Sequence, residues 1–149
     1  MQAMTAPPAT DLAELASQLR IGVTRLARRL RLEGDAAVTP TLLVALATIE
    51  RHGPMTAGEL AAHEQVRKPT VTRLIGSLLD RGLIERTHDP LDGRVTWVRL
   101  SPEGRRILQR ARHRKDAYLS ARLRRLSPDE LDTLERAAAL LERLTEEER

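Results

Sequence analysis

Cationic and hydroxyl side chains follow one another closely between residues 67 and 73. The sequence there is RKPTVTR, with three cations, two hydroxyl groups and no acid. Guanidinium and ammonium groups donate hydrogen bonds to phosphate oxygens, and a guanidinium can also bond the O6 and N7 acceptors of guanine in bidentate fashion. This segment therefore predicts binding of an anionic or base-presenting partner.

Other kinds of chemistry find little support in the chain. Cysteine is absent, which excludes disulfides, thiolate metal sites and a cysteine nucleophile. The four histidines, at positions 52, 63, 88 and 113, include no pair at a spacing of three or four residues. No glycine-rich phosphate loop and no nucleophile elbow is present. We therefore expect no enzyme activity, no metal and no cofactor.

Length and composition fit a single domain spanning residues 1–149. No run approaches the roughly 20 apolar residues of a membrane span, and the start, MQAMTAPPAT, lacks the basic and apolar regions of a signal peptide. We therefore expect a cytoplasmic protein with no membrane partner. The net charge is +4, and all basic residues except Lys68 and Lys115 are arginine. Arginine suits phosphate and guanine contacts, but its excess is also typical of a GC-rich genome.

Six helices are predicted from apolar spacing and from helix-end signals. Asp11, Thr39 and the capping box Thr56–Glu59 mark three helix starts, and Ser101-Pro102 and the box at 127–130 mark two more. Gly34-Asp35 and His52-Gly53-Pro54 are stop signals. The predicted helices cover about residues 12–33, 40–52, 57–63, 69–81, 102–126 and 128–145.

The stretch from residue 84 to residue 100 has a different pattern. IERT and VTWVRL are rich in β-forming residues, and the intervening HDPLDGR is dense in turn formers. This pattern predicts a two-stranded hairpin with a long tip. The fold class is therefore mainly α with a small β-hairpin, in the α+β class.

The terminal helices carry more apolar surface than the small central part can cover. In the first helix the apolar residues recur at steps of three and four. They are Leu12, Ala16, Leu19, Val23, Leu26 and Leu30. A second copy of the chain, related by a two-fold axis, is the simplest cover. We therefore expect a homodimer, with residues 11–33 and 102–145 as its dimerisation lobe.

Residues 57–81 predict a helix-turn-helix. Apolar residues from Val71 to Leu79 form one buried stripe on the second helix, and Arg73 points almost directly away from it. Thr70 and Thr72 flank Arg73 near the start of that helix. A helix that presents donors at its N-terminal end fits the major groove of DNA.

These segments resemble the winged helix-turn-helix core of the MarR family of bacterial transcription regulators. Three motifs carry the resemblance in order: PTVTRL, the exit LLDRGLIER, and DPLDGR followed by LSPEG. The resemblance implies a winged helix-turn-helix DNA-binding lobe at 39–100 with long terminal dimerisation helices. It implies a homodimer whose two recognition helices enter successive major grooves of a pseudo-palindromic operator.

The resemblance also implies roles for individual residues. In the wing, Arg94 would reach into the adjacent minor groove and Asp92 would pair with it, although such a pair can also merely brace the hairpin. The candidate DNA-binding residues are Arg67, Lys68, Pro69, Thr70, Thr72, Arg73, Asp92 and Arg94. Many relatives bind small, often aromatic acids, which predicts a ligand-responsive repressor. No motif carries that pocket here, so the ligand-binding residues are unknown.

The sequence departs from the family pattern just before the recognition helix. Glu64 and Gln65 stand where an apolar residue and glycine are frequent, and Arg67 replaces a frequent serine. Without a capping side chain, Arg67 and Lys68 oppose the helix dipole. Either a bound DNA phosphate compensates, or the helix start is slightly frayed.

The sequence leaves several interpretations open. The six cations at 105–115 form either a solvated or intersubunit face or a second phosphate-binding stripe. Arg20, Arg25 and Arg51 are either carboxylate partners of an effector or surface groups. The function is either a ligand-responsive regulator or a constitutive one. A winged-helix protein-interaction module is a further alternative, but its face would expose apolar anchors rather than arginine and threonine.

Overall fold

The computed structural model describes residues 11–34 and 36–146. Asp35, part of the first predicted stop signal, and the glutamates at 147 and 148 lie outside these ranges. The described residues form six helices and three strands. They are α1 (Leu12–Leu32), α2 (Pro40–His52), β1 (Met55–Thr56), α3 (Ala57–Glu64), α4 (Lys68–Asp80), β2 (Ile84–His88), β3 (Thr96–Leu100), α5 (Pro102–Leu123) and α6 (Pro128–Glu146).

Side-chain caps start α1, α2, α3 and α5 where the sequence predicts them. Asp11, Thr39 and Ser101 each accept a hydrogen bond from a backbone N–H in the first turn. Thr56 and Glu59 cap α3 reciprocally, and the carboxylate of Glu59 accepts from the Thr56 backbone N–H at 2.7 Å. That hydrogen bond holds the pKa of Glu59 below its ordinary value of 4.5.

The sheet has three antiparallel strands in the order β1-β3-β2, so the prediction of a two-stranded hairpin is incomplete. The β2–β3 hairpin is present, with Ile84 opposite Leu100. The extra strand places Met55 opposite Val98. Two residues are too few to show an alternating pattern, and Thr56 also caps α3, so the sequence there favoured a helix start alone.

The fifth helix ends at Leu123, three residues before the predicted end at Leu126. Ser127 caps α6 through its hydroxyl, which accepts from the Glu130 backbone N–H at 3.2 Å. A residue before proline avoids helical backbone angles, so the chain must leave α5 before Ser127. Leu126 therefore lies in the connecting turn, half-buried.

The core lies between α2, the first half of α5, the helix-turn-helix and the sheet. Its largest fully buried side chains are Leu46, Ile49, Leu60, Val71 and Leu78. By contrast, α1 has no buried residue, and almost every residue of α6 is exposed. None of the helices within residues 11–34 and 36–146 is long and apolar enough to cross a membrane.

The sheet meets α5 at a very close contact. The Ser101 hydroxyl donates to the Gly82 carbonyl oxygen at 2.6 Å and accepts from the Gly104 backbone N–H at 3.0 Å. A Cβ placed on Gly104 would lie 2.0 Å from the Leu83 carbonyl oxygen. Only glycine allows this approach, so the start of α5 is fixed against the beginning of β2.

Candidate nucleic-acid interface

The turn of the helix-turn-helix is made by Gln65, which adopts the left-handed conformation with φ 52° and ψ 39°. Val66 closes the turn by donating its N–H to the Ala61 carbonyl at 3.1 Å. Glu64, which stands where relatives often have an apolar residue, accepts a hydrogen bond from the Thr48 hydroxyl of α2. The departures from the family pattern are thus accommodated without losing the turn.

Replacing Gln65 by glycine is expected to raise the free energy of unfolding by about 0.5–1 kcal/mol, because a side chain in the left-handed region meets the backbone and glycine does not. Urea unfolding followed by circular dichroism measures the change. Gln65→Ala, which keeps a Cβ and loses the amide, is the matched control and should not stabilise. A glycine variant less stable than the wild type would contradict a strained turn.

Helix α4 separates a buried face from an exposed face as its apolar spacing predicts. Val71, Ile75 and Leu78 are buried, whereas Arg73 is exposed on the other side. No hydrogen-bond or ion-pair partner of Arg73 lies within residues 11–34 and 36–146. Its guanidinium is therefore available to a partner outside the chain.

The remaining candidates on α4 surround its first turn. Arg67, Lys68, Pro69 and Thr72 are exposed, and Thr70 is half-buried. Arg67 is the N-cap residue but contributes no side-chain cap, and the first turn holds no acid.

One of these candidates offers less than its sequence suggests. The Thr72 hydroxyl donates to the Lys68 carbonyl at 3.0 Å, so its hydrogen serves the helix itself. What Thr72 presents outward is a methyl group and oxygen lone pairs.

The second group of candidates lies at the tip of the β2–β3 hairpin. Asp92 accepts hydrogen bonds from the Arg94 backbone N–H at 3.0 Å and from its Nε at 3.1 Å. The Arg94 side chain is nevertheless 93% exposed. The pairing holds the pKa of Asp92 below its ordinary value of 3.8. The structure thus has the Asp92–Arg94 pair that the family resemblance implies.

Asp89 organises this tip, a role that the sequence analysis missed. One of its carboxylate oxygens accepts from the backbone N–H of Leu91 at 2.8 Å and of Asp92 at 3.2 Å. The other accepts from the indole N–H of Trp97 on β3 at 3.2 Å. Aspartate followed by proline at the start of a turn is the signal that indicates such a loop.

These hydrogen bonds fix the pH range in which the tip keeps its shape. The two backbone N–H groups, foremost that of Leu91, hold the pKa of Asp89 below its ordinary value of 3.8. A carboxylate with a lowered pKa stabilises the folded state above its ordinary pKa, and that contribution is lost as pH falls through the lowered pKa. Asp89 therefore stays ionised throughout the neutral pH range, and the tip keeps its hydrogen bonds there.

A cleft of about 400 Å³ separates α4 from the sheet. Thr72 and Gly76 line it on the helix side, and Arg86 and Thr96 on the sheet side. Arg86 is exposed there. The cleft places a further cation between the recognition helix and the wing.

Two of the four histidines lie close together in the structure. The rings of His52 and His63 are stacked with centroids 4.0 Å apart, a proximity that sequence spacing did not indicate. No group of three metal-binding side chains occurs among the residues that the structure describes.

The cations at 105–115 are partly engaged within the chain. Arg106 pairs with Glu103, and Arg112 pairs with Glu50 of α2 at 2.6 Å. These ion pairs occupy side chains that a second phosphate-binding stripe would need, and so favour a solvated face.

A helix-turn-helix followed by an antiparallel hairpin defines the winged helix-turn-helix class of DNA-binding proteins. The MarR family model matches residues 38–96. An HTH-type transcriptional regulator of Mycobacterium leprae is 41% identical over 136 residues, 91% of this chain and 95% of that protein. The multiple antibiotic resistance protein MarR of Salmonella typhimurium is 34% identical over 99 residues, 66% of this chain and 69% of that protein.

A similar fold is known from a crystal structure of a transcriptional regulator from Pseudomonas aeruginosa. It superimposes with a TM-score of 0.81 at 38% identity and covers 93% of this chain and 98% of that one. The chain belongs to the MarR family and is a DNA-binding transcriptional regulator. The family and the fold class predicted from sequence are thereby confirmed.

Proposed function

We propose that the protein is a cytoplasmic repressor that binds a pseudo-palindromic operator as a homodimer. Residues 39–100 form the DNA-binding lobe, and residues 11–33 and 102–145 form the dimerisation lobe. The observation that carries this proposal is the exposed guanidinium of Arg73, which lies opposite the buried face of α4 and has no partner among the described residues. In the major groove it can bond guanine in bidentate fashion.

The cations around Arg73 support binding of DNA with α4 in the major groove. Arg67 and Lys68 lie at the uncapped start of α4, where a phosphate would contact both side chains at the positive end of the helix dipole. Arg86 lines the cleft through which the phosphate backbone would pass between the two grooves. Arg94 extends from the wing toward the neighbouring minor groove. Phosphate contacts of this kind position the protein, while Arg73 reads sequence.

The terminal helices support the homodimer. Leu12, Val23 and Leu32 of α1 are 76%, 47% and 69% exposed in the single chain. A contiguous apolar seam of this length is rare on the surface of a monomer, and a second copy of the chain would cover it.

The protein is expected to sediment at micromolar concentration as a species of twice the 16.7 kDa chain mass. Leu26→Asp, on the apolar seam of α1, should shift the equilibrium to monomer because it buries a charge at the interface. Arg28→Asp, on the opposite face of the same helix, is the matched control and should stay dimeric. Deletion of residues 1–33 should give aggregation or unfolding rather than a clean monomer. A wild type that sediments as a stable monomer would end both the dimer and the palindrome proposals.

Loss of the wing arginine is expected to weaken operator binding in a way that depends on flanking sequence. Arg94→Ala should cost about tenfold in affinity on operators with A·T-rich flanks and less on G·C-rich flanks, because a narrow minor groove attracts arginine most strongly. Asp92→Ala should give part of the same loss by releasing Arg94, and the double variant should lose little more. The measurement is a double-mutant cycle on both kinds of flank. Additive losses that are equal on both flanks would show that the pair only braces the hairpin.

A cleft between α1, α2 and α5 supports an effector site. Its volume is about 140 Å³, and Leu43, Val44 and Leu108 form apolar walls beside Arg31 and Lys115. Apolar walls with cations suit a small aromatic carboxylate. Arg20, Arg25 and Arg51 are exposed, and other residues line the cleft. Titration of benzoate into the protein–operator complex tests the effector, and an unchanged affinity favours the constitutive regulator.

The exposed face of α4 does not support the alternative of a protein-interaction module. Such an interface is centred on buried aromatic or apolar anchors. The exposed face of α4 offers Arg73, Thr72 and Lys68 instead.

A further inference from the structure

Leu91 is the most exposed large apolar side chain that the structure describes, at 98%. Single exposed leucines are common and need no function by themselves. Leu91 differs from the exposed leucines of α1 and α6 in its place, because it lies at the wing tip and not on a long apolar seam.

The backbone around Leu91 is held in place by hydrogen bonds on both sides. The Leu91 N–H donates to Asp89, and Asp89 is in turn bonded to the indole of Trp97 on β3. Further along, the Val95 N–H donates to the Asp92 carbonyl at 2.9 Å. The leucine therefore projects from an ordered loop, at a fixed place relative to Arg94.

The neighbours of Leu91 leave room for a close partner. Pro90 and Gly93 are exposed, and a Cβ placed on Gly93 would meet nothing within 4 Å. The tip is thus a narrow convex surface with one apolar side chain and one guanidinium, and Asp92 between them already faces Arg94.

This pair of side chains matches the chemistry of an A·T-rich minor groove. The groove floor at an A·T pair carries acceptors but no amino group, whereas a G·C pair adds the 2-amino group of guanine. Apolar side chains contact sugars and bases in the minor groove in many architectural proteins. An apolar group loses this contact where the amino group projects into the groove.

We propose that Leu91 enters the minor groove beside Arg94, contacts its deoxyribose walls and base edges, and adds a preference for A·T pairs under the wing. This inference rests on the proposed entry of the wing into the minor groove. A protein partner is disfavoured because stable protein interfaces bury about 800 Å² on each side, far more than one leucine on a narrow tip supplies.

The test uses the full chain and a duplex selected by the wild-type protein from a random pool. The pairs under the wing are made A·T, G·C or inosine·C, since inosine lacks only the 2-amino group of guanine. The wild type should bind the A·T and inosine·C duplexes with similar affinity and the G·C duplex more weakly. Leu91→Ser should lose about 3- to 10-fold in affinity on the A·T and inosine·C duplexes and little on the G·C duplex. Leu91→Met keeps the apolar contact and is the matched control.

Other outcomes overturn the inference in distinguishable ways. Equal affinities of Leu91→Ser and wild type on all three duplexes, or equal losses on all three, rule out the minor-groove role of Leu91. If Arg94→Ala then loses the A·T preference on the same duplexes, the wing proposal stands without Leu91. If neither variant changes that preference, both proposals fail. Unchanged DNA binding with altered regulation of a reporter would assign Leu91 to a protein partner instead.

Discussion

A Gly104→Ala variant is expected to lose about 3 kcal/mol or more of its free energy of unfolding, the upper part of the range for overpacking a well-packed site. The added methyl group would lie 2.0 Å from the Leu83 carbonyl oxygen and 3.0 Å from a Leu100 methyl carbon. The first of these atoms is backbone and cannot turn aside as a flexible side chain could. Relief requires α5 to move away from the sheet, which would also stretch the hydrogen bonds of Ser101.

Thermal and urea unfolding of the purified variant measure this loss. Gly76→Ala is the matched control because Gly76 is also helical and a Cβ there would meet nothing within 4 Å. That control should be neutral or up to about 1 kcal/mol more stable, since alanine favours helix over glycine. A Gly104→Ala variant that unfolds like the wild type would mean that α5 can move away from Leu83 without loss of stability.

An Arg73→Ala variant is expected to lose about 1–3 kcal/mol of binding free energy on the operator and to accept other bases at one position in each half-site. The reason is geometric, because Arg73 is exposed opposite Val71 and Ile75 in the half of α4 that a major groove would receive. Non-specific binding should change little, since bidentate hydrogen bonds to guanine form only at the cognate base pair.

Arg67→Ala provides the contrast for this measurement. We expect it to weaken binding to all sequences alike and to reduce the salt dependence of log K by about one phosphate contact, because Arg67 lies at the uncapped helix start where the proposed phosphate would bind. Affinities on the operator and on a scrambled duplex, each at several salt concentrations, separate the two roles. Equal weakening of both duplexes by Arg73→Ala would make Arg73 a phosphate contact.

Helices were predictable from this sequence because their signals are local. Thr39 and Thr56 cap through side chains a few residues from their partners, and Pro40 favours the first turn of a helix. The exposed position of Arg73 followed from helical periodicity alone. Such features depend on neighbours along the chain, which a single sequence displays completely.

Features that depend on distant partners were not predictable in the same way. Met55 and Thr56 form a strand only because Trp97 and Val98, more than forty residues later, offer free backbone groups. The stacking of His52 on His63 likewise joins two helices. Asp89 is an intermediate case, since its turn is local but its bond to Trp97 depends on the hairpin register.

The position of Trp97 has a practical consequence for optical measurements. It is the only tryptophan of the chain, and its indole N–H is bonded to the carboxylate that orders the wing tip. Intrinsic emission therefore originates beside the wing and far less from the recognition helix. In a rapid-mixing experiment with unlabelled DNA, the emission signal would time the arrival of the wing, and a dye on the duplex would time the arrival of the whole protein.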